Sequence, residues 1–421
     1  MSADPIPLPH DDEAPLAPGA IFGLSLLTLV YALNFLDRTL IYILFPLLKK
    51  ELVLSDLQLA LLGTTSFVIF YTLLGVPFGR LADRVSRKRL IAGGLAVWSL
   101  FSGLTAFAGS FETVFLCRVM VGVGEATLGP AALSLLSDWF PPRMRATVSA
   151  IYSAGIPVGA GLAFFLGGFL GESLGWRWAF ALLSFPGIVV ALAVLGLQEA
   201  ERGRTERAAT KAASGDWRAL LSSRPLLLLF TGYAFFCLAA NSLSIWGAVF
   251  FVRYHKLSLT TIGVLAGILS LVGGVPGTVL GGWAADRFRR SGPGGRLRFS
   301  ALCALACAPL WLLLLYGKST ALLVAVNLLL LGAALMWLGP AAADVHEISG
   351  PKLRGLGVGL YFFTAMIAGY GIGPPLVGRV SDALGAGHLR EALLVAPACS
   401  LLAALFLWLA ARARERSTIP S

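Results

Sequence analysis

Charge is what this chain has least of. Asp, Glu, Lys and Arg make up 13% of its 421 residues and histidine occurs four times, against about 25% charged residues in an ordinary soluble domain. With 57% hydrophobic residues and a mean hydropathy of +0.81, that scarcity excludes an ordinary soluble fold. Cysteine is sparse too. Cys117, Cys237, Cys303, Cys307 and Cys399 all lie inside apolar segments; Cys303 and Cys307 share a helix face, but without a nearby His or carboxylate they read as small hydrophobes and no metal site is expected. There is no nucleophile elbow, phosphate loop or metal-ligand cluster, which argues against an enzyme, against an ATP-driven pump and against any bound cofactor. The first residues are polar, Pro-rich and acidic (His10, Asp11, Asp12, Glu13), so no removable signal peptide is expected.

Long apolar runs are what the chain has in abundance. A bilayer-crossing helix needs roughly 20 predominantly apolar residues. Twelve segments qualify: 19–45, 57–81, 88–109, 113–137, 146–170, 177–197, 225–252, 260–284, 299–316, 320–343, 354–379 and 391–411. The expected fold is an all-α membrane protein with twelve transmembrane helices. The formal net charge of +11 is a topology signal and does not point to nucleic acid. Of 33 Lys and Arg, 22 fall on one face, in clusters such as Arg84, Arg87, Lys88 and Arg89, and eight on the other. Basic loops stay in the cytoplasm, so both termini are expected there. The parts are a polar N-terminus (1–18), a six-helix bundle (19–197), a charged linker (198–224), a second six-helix bundle (225–411) and a cytoplasmic tail (412–421).

The two bundles echo each other. After the second span comes Gly79-Arg80-Leu81-Ala82-Asp83-Arg84 and then Arg87-Lys88-Arg89; after the eighth comes Gly282-Trp283-Ala284-Ala285-Asp286-Arg287 and then Arg289-Arg290. Arg145 and Tyr152 are seven apart, as are Arg354 and Tyr361, and Gly/Pro-containing helices follow both. Two six-helix halves in parallel repeat resemble the major facilitator superfamily, whose substrate cavity lies between the halves near the midplane. In that resemblance Gly79, Asp83, Arg84, Arg87 and Lys88 form the gating loop, although the family motif has Gly where this chain has Ser86. Asp83 would pair with Arg or Lys across the seam between the halves and release when the cavity opens inward. Asp138, Arg143 and Arg145 are its expected partners. The plainer reading is a positive loop and nothing more.

Charges inside apolar helices are the sharper signal. Asp37-Arg38 lies in YALNFLDRTL, and Glu125 in RVMVGVGEATLGP with Arg118 seven residues earlier on the same face. A charge at the bilayer centre costs from about 2.5 to more than 10 kcal/mol, so such residues persist where they pair or face water. A carboxylate in a low-dielectric interior is balanced by a counter-ion or by a proton, which is the property a coupling site needs. At 1.5 Å per residue, Asp37 and Arg38 sit roughly 6–9 Å, and Arg118 about 10 Å, outward of Glu125. Arg38 is thus placed to neutralise Glu125 in one state and Asp37 in another; a purely structural ion pair is the competing reading, strongest for Arg118. Gly155, Pro157 and Gly159 mark a helix that can bend. Tyr31, Asn34, Asn241, Trp246, Trp337, Tyr361 and Thr364 are candidate cavity residues, with packing against helices or lipid as the alternative. His346, between Asp344 and Glu347, reads as solvated at a helix end.

NFLDRT in the first span, together with RVMVGVGEATLGPAALSLLSDWFPPRMRATVSAIYSAG across the fourth and fifth, resembles the Spinster-type lipid transporters. The resemblance implies Asp37, Arg38 and Glu125 as the functional polar core, alternating access with proton linkage, and export of sphingolipid- or lysophospholipid-type amphiphiles. Charge in the N-terminal half and its scarcity between 225 and 284 suit a polar head on one wall and an apolar tail on the other. The expectation is a monomeric, multi-pass transporter of the bacterial inner membrane, surrounded by lipid, with the proton as coupling ion. A multidrug/proton antiporter of the same fold, and a non-transporting membrane receptor or scaffold, are the alternatives.

Overall fold

The computed structural model describes residues 16–141, 144–202, 218–385 and 387–418. Twelve helices among them are long and apolar enough to cross a membrane: α1 Ala20–Leu52, α2 Asp56–Ala82, α3 Arg87–Phe107, α4 Phe111–Trp139, α5 Thr147–Ser173, α6 Trp176–Leu195, α7 Arg224–His255, α8 Leu259–Arg289, α9 Gly295–Tyr316, α10 Thr320–Gly350, α11 Leu356–Leu384 and α12 Leu389–Arg416. Most of the N-terminal segment and of the linker, together with Arg143, lies outside the described residues.

Several helices run past the apolar stretches. α1 continues through Pro46 to Lys49 and Lys50, so its 33 residues span roughly 50 Å, well beyond a hydrocarbon core of about 30 Å. Three helices contain a wide π-helical turn: Leu61–Thr65 in α2, Ser270–Gly274 in α8 and Ile367–Ile372 in α11. The turns of α2 and α11 face each other, and Thr65 Oγ1 donates to the Gly371 carbonyl at 3.5 Å.

The halves meet along three seams, all toward the face opposite the basic loops. α1 touches α7 through Phe45 and Trp246, whose rings are 6.1 Å apart. α5 packs on α8 backbone to backbone: a methyl group on Gly168 would lie 2.4 Å from the Leu259 carbonyl oxygen, and one on Gly263 would lie 2.3 Å from that of Phe164. α2 meets α11 where a methyl on Gly378 would fall 2.7 Å from the Asp56 carbonyl oxygen. The segments toward the basic face, Leu128–Trp139, Arg145–Ser153, Val275–Arg289 and Leu338–Met366, pack mainly on helices of their own half.

Candidate coupling site

Glycines place the site's carboxylate. Gly122 lets the α2 backbone approach, since a methyl there would lie 2.9 Å from the Phe67 carbonyl oxygen, and one on Gly124 would lie 2.7 Å from that of Gly94 and 2.8 Å from the Trp98 nitrogen on α3. Glu125 follows at the last regular turn before α4 is interrupted at Ala126 and Thr127. Wedged between α2 and α3, its side chain points at α1.

There it meets Arg38. Arg38 Nη2 and Nε both donate to Glu125 Oε2, at 2.8 and 3.2 Å, and Nη2 also reaches Asn34 Oδ1 at 3.4 Å. Both partners are buried. The guanidinium is boxed by three rings, with its carbon 4.7 Å from the centre of Phe35, 4.3 Å from Phe67 and 5.0 Å from Tyr71. Cation–π contacts contribute about 0.5–2 kcal/mol each when desolvated, so the box holds the cation whichever way the carboxylate is balanced. Two buried polar atoms here, Glu125 Oε1 and Asn34 Nδ2, have no hydrogen-bond partner among the described residues.

Asp37 points away from this pair. It accepts from Ser102 Oγ of α3 at 2.6 Å and forms no ion pair with a described residue, although it is only 2% exposed. Arg118 donates Nη1 to the Asp37 carbonyl at 3.2 Å and Nη2 to the Arg38 carbonyl at 3.5 Å, so it clamps the α1 backbone to α4. The expected cluster therefore assembles with a division of labour: Arg38 and Glu125 pair, Arg118 fixes the helix that carries Arg38, and Asp37 is tied to α3. Sequence reasoning missed Ser102, Phe67 and Tyr71, because a serine or an aromatic in a membrane helix has no distinguishing spacing.

Other expected residues fall differently. Tyr31 stacks on Tyr152 of α5 at 4.3 Å. Trp246 lies buried in the α1–α7 seam, and Trp337 and Tyr361 are buried against Tyr233 at 5.4 and 5.8 Å. Asn241 donates to the Cys237 carbonyl one turn back, and Thr364 to that of Tyr361. α5 is interrupted at Ala154, where Pro157 has no N–H to offer Ser153. Gly155 and Gly159 serve close packing on α1, since methyls there would lie 2.8 Å from the Thr28 carbonyl oxygen and 2.0 Å from that of Ala32. His346 is exposed, but its neighbour Asp344 is buried with Oδ2 unpartnered among the described residues.

The described contacts of the gating loop stay within its own half. Asp83 is exposed and has no ion pair with a described residue, because the basic-face ends around it pack within their own half. Gly79 approaches only Pro130, and Arg84 is exposed. Arg87 is fully buried; it pairs with Asp138, donates Nε to Glu199 at 2.9 Å and Nη1 to Ser134 at 2.9 Å. Lys88 Nζ reaches the Leu197 carbonyl at 2.7 Å, and Arg145 that of Ser137 at 3.5 Å. The basic run thus ties α3 and α4 to the segment after α6. Burial alone would push the Glu199 carboxyl up, but hydrogen bonds from Ser86, Arg87 and Lys88 outweigh it and hold Glu199 below the usual carboxylate range. The second half repeats the device: Arg296 pairs with Asp286 and Glu347, each at 3.1 Å, and Arg298 with Glu415 at 2.6 Å.

Known transport proteins resemble this chain over most of its length. A Mycolicibacterium smegmatis protein described as an MFS-type efflux pump is 30% identical over 405 residues, covering 94% of each chain. Protein spinster homolog 1 of Xenopus laevis is 26% identical over 405 residues, covering 90% of this chain and 77% of its own. The crystal structure of a bacterial homologue of the human lysosomal transporter Spinster, in an inward-facing and unoccupied conformation, superposes with a TM-score of 0.86 at 26% identity, covering 96% of this chain and 99% of that one. The profile of the Major Facilitator Superfamily matches residues 27–369. This chain, an integral multi-pass membrane protein, belongs to the Major Facilitator Superfamily of transporters.

Proposed function

We propose that the protein is a proton-linked secondary transporter of lipid-like amphiphiles, of lysophospholipid or sphingolipid type, working by alternating access as a monomer in a bacterial inner membrane. The buried Arg38–Glu125 pair carries this reading. Removing one partner of such a pair costs roughly 3–5 kcal/mol, so Glu125 leaves Arg38 only when a proton replaces it, and Arg38 is then free to meet an anionic head group. Further support comes from the likeness to spinster homologues and from the apolar character of the C-terminal half. With the basic loops in the cytoplasm, the packed seams lie on the outer side and the conformation is inward-facing.

A second reading, a multidrug/proton antiporter, is favoured by the likeness to the efflux pump. One assay separates the two. Purified protein in proteoliposomes is offered lysophospholipid, sphingosine phosphate or a cationic drug, with and without a pH gradient. Gradient-dependent movement of either lipid supports the first reading; movement of the drug alone establishes the second.

A further inference from the structure

The two halves carry a repeated motif at the face opposite the basic loops, and it is built around helix ends. α5 closes with Gly168-Phe-Leu-Gly-Glu172-Ser-Leu-Gly175, and α11 with Gly378-Arg-Val-Ser-Asp382-Ala-Leu-Gly385. Both stretches terminate at a left-handed glycine, Gly175 at φ 87° and Gly385 at φ 99°. α2 and α8, on the opposite halves, begin alike. A residue with positive φ (Val53 or Lys256) precedes Leu and then an N-cap serine, Ser55 or Ser258.

A helix start leaves four backbone N–H groups without intrahelical partners. Ser55 takes the third-position donor of α2, Gln58 N, at 3.1 Å, and Ser258 takes that of α8, Thr261 N, at 3.2 Å. The earlier donors go to the other half of the molecule. Asp382 Oδ1 and Oδ2 accept from Asp56 N and Leu57 N, each at 2.9 Å, and Glu172 Oε2 accepts from Thr260 N at 2.8 Å. Gly378 and Gly168, one turn before each carboxylate, let the backbones close to the distance these bonds need.

The position of the carboxylates is itself informative. An acid in the last turn of its own helix faces the negative end of that helix's dipole and is disfavoured there. Glu172 and Asp382 sit in last turns, and each gains only from the positive end of a helix belonging to the opposite half. The α2–α11 member is reinforced, since Asp56 also receives Arg253 Nη2 at 3.1 Å, Ser381 Oγ at 2.6 Å and the Lys49 ammonium. Leu259 stands where α8 would need the matching carboxylate, so the α5–α8 member lacks that reinforcement.

We propose that Glu172 and Asp382 are reciprocal latches: each half caps a helix of the other, and the two caps together hold the outer face closed during alternating access. The inference rests on the alternating-access reading above and is independent of the cargo. The test uses spin labels on exposed outer positions, Phe107→Cys with Lys318→Cys, and in a second sample on the basic face, Arg89→Cys with Arg290→Cys. Losing one cap is expected to raise the outer-open to outer-closed ratio about fivefold in Asp382→Ala and in Glu172→Ala, and about 25-fold in the double variant. The basic-face distances should shorten in the same fraction of molecules. Asp382→Asn, which keeps one acceptor oxygen but turns an NH2 toward the second N–H, should recover only part of the closed population, and Glu112→Ala, at a helix start within one half, should leave it unchanged. Unaltered outer distances in the double variant, or outer widening without basic-face closure, would overturn the proposal. A response of both label pairs in a protein that moves no amphiphile would sustain the latch and refute the cargo.

Discussion

Replacing Glu125 by Gln separates coupling from folding. The amide oxygen stands where Oε2 accepts two bonds from Arg38, so both bonds survive in neutral form while the negative charge and the exchangeable proton are lost. Breaking a buried ion pair costs roughly 3–5 kcal/mol. The retained bonds keep the loss near the lower figure, and the rings of Phe35, Phe67 and Tyr71 still hold the stranded guanidinium. Against a stability of roughly 5–15 kcal/mol the variant folds, with a lowered melting temperature. Transport is the decisive readout. In sealed vesicles at zero voltage, one pH unit is worth about 1.4 kcal/mol per proton, which sustains about a tenfold concentration ratio of an uncharged cargo moved with one proton. The wild-type chain should build that ratio. Glu125→Gln should stop at a ratio of one, yet still exchange labelled for unlabelled cargo without a gradient. A variant that holds the tenfold ratio would refute the assignment of Glu125 as the proton carrier.

Arg38→Ala should reduce gradient-driven transport to background, whereas Arg89→Ala, on an exposed loop position, should stay within about twofold of wild type; equal losses would mean the intramembrane pair has no special role. Gly124→Ala places a methyl 2.7 Å from the Gly94 carbonyl oxygen and should cost about 1–3 kcal/mol while displacing Glu125, read as a lower melting temperature together with weaker coupling. Glu199 has a depressed folded pKa. Its contribution is therefore fully present above the unfolded value of about 4.3 and is lost as pH falls through the folded value below that. The melting temperature should accordingly drop below about pH 4 in the wild-type chain, and that acid-dependent component should shrink in Glu199→Gln.

The twelve spans were legible because each is a run of apolar residues longer than any soluble helix requires. The Arg38–Glu125 pair was legible for a related reason: two charges buried in neighbouring helices have few ways to be balanced. What Arg118 does was not, since a guanidinium bonded to backbone carbonyls and one bonded to a carboxylate look alike in sequence. Asp83 shows a different limit. Its motif is visible, but a pair across the seam needs the basic-face ends of both halves together, and here they pack within their own halves. The latches escaped notice because Asp56 and Asp382 are 326 positions apart, even though the glycine-to-acid spacing recurs in both halves. Trp246, Trp337 and Tyr361, assigned to a cavity, are buried against other rings in this conformation, and a membrane helix spaces cavity and packing aromatics alike.

The aromatic box makes the positive charge at Arg38 a permanent fixture and leaves Glu125 as the variable. Protonating Glu125 changes the net charge of that wall from zero to plus one. An anionic cargo is then attracted when a proton is already aboard, and the two travel in the same direction as a neutral couple. A cationic cargo is tolerated at the neutral wall and repelled once Glu125 is protonated, so on the proposed coupling the two would travel in opposite directions. On the proposed coupling, the sign of the cargo would set symport or antiport from one unchanged pair of residues, and a vesicle's internal pH during transport tests which.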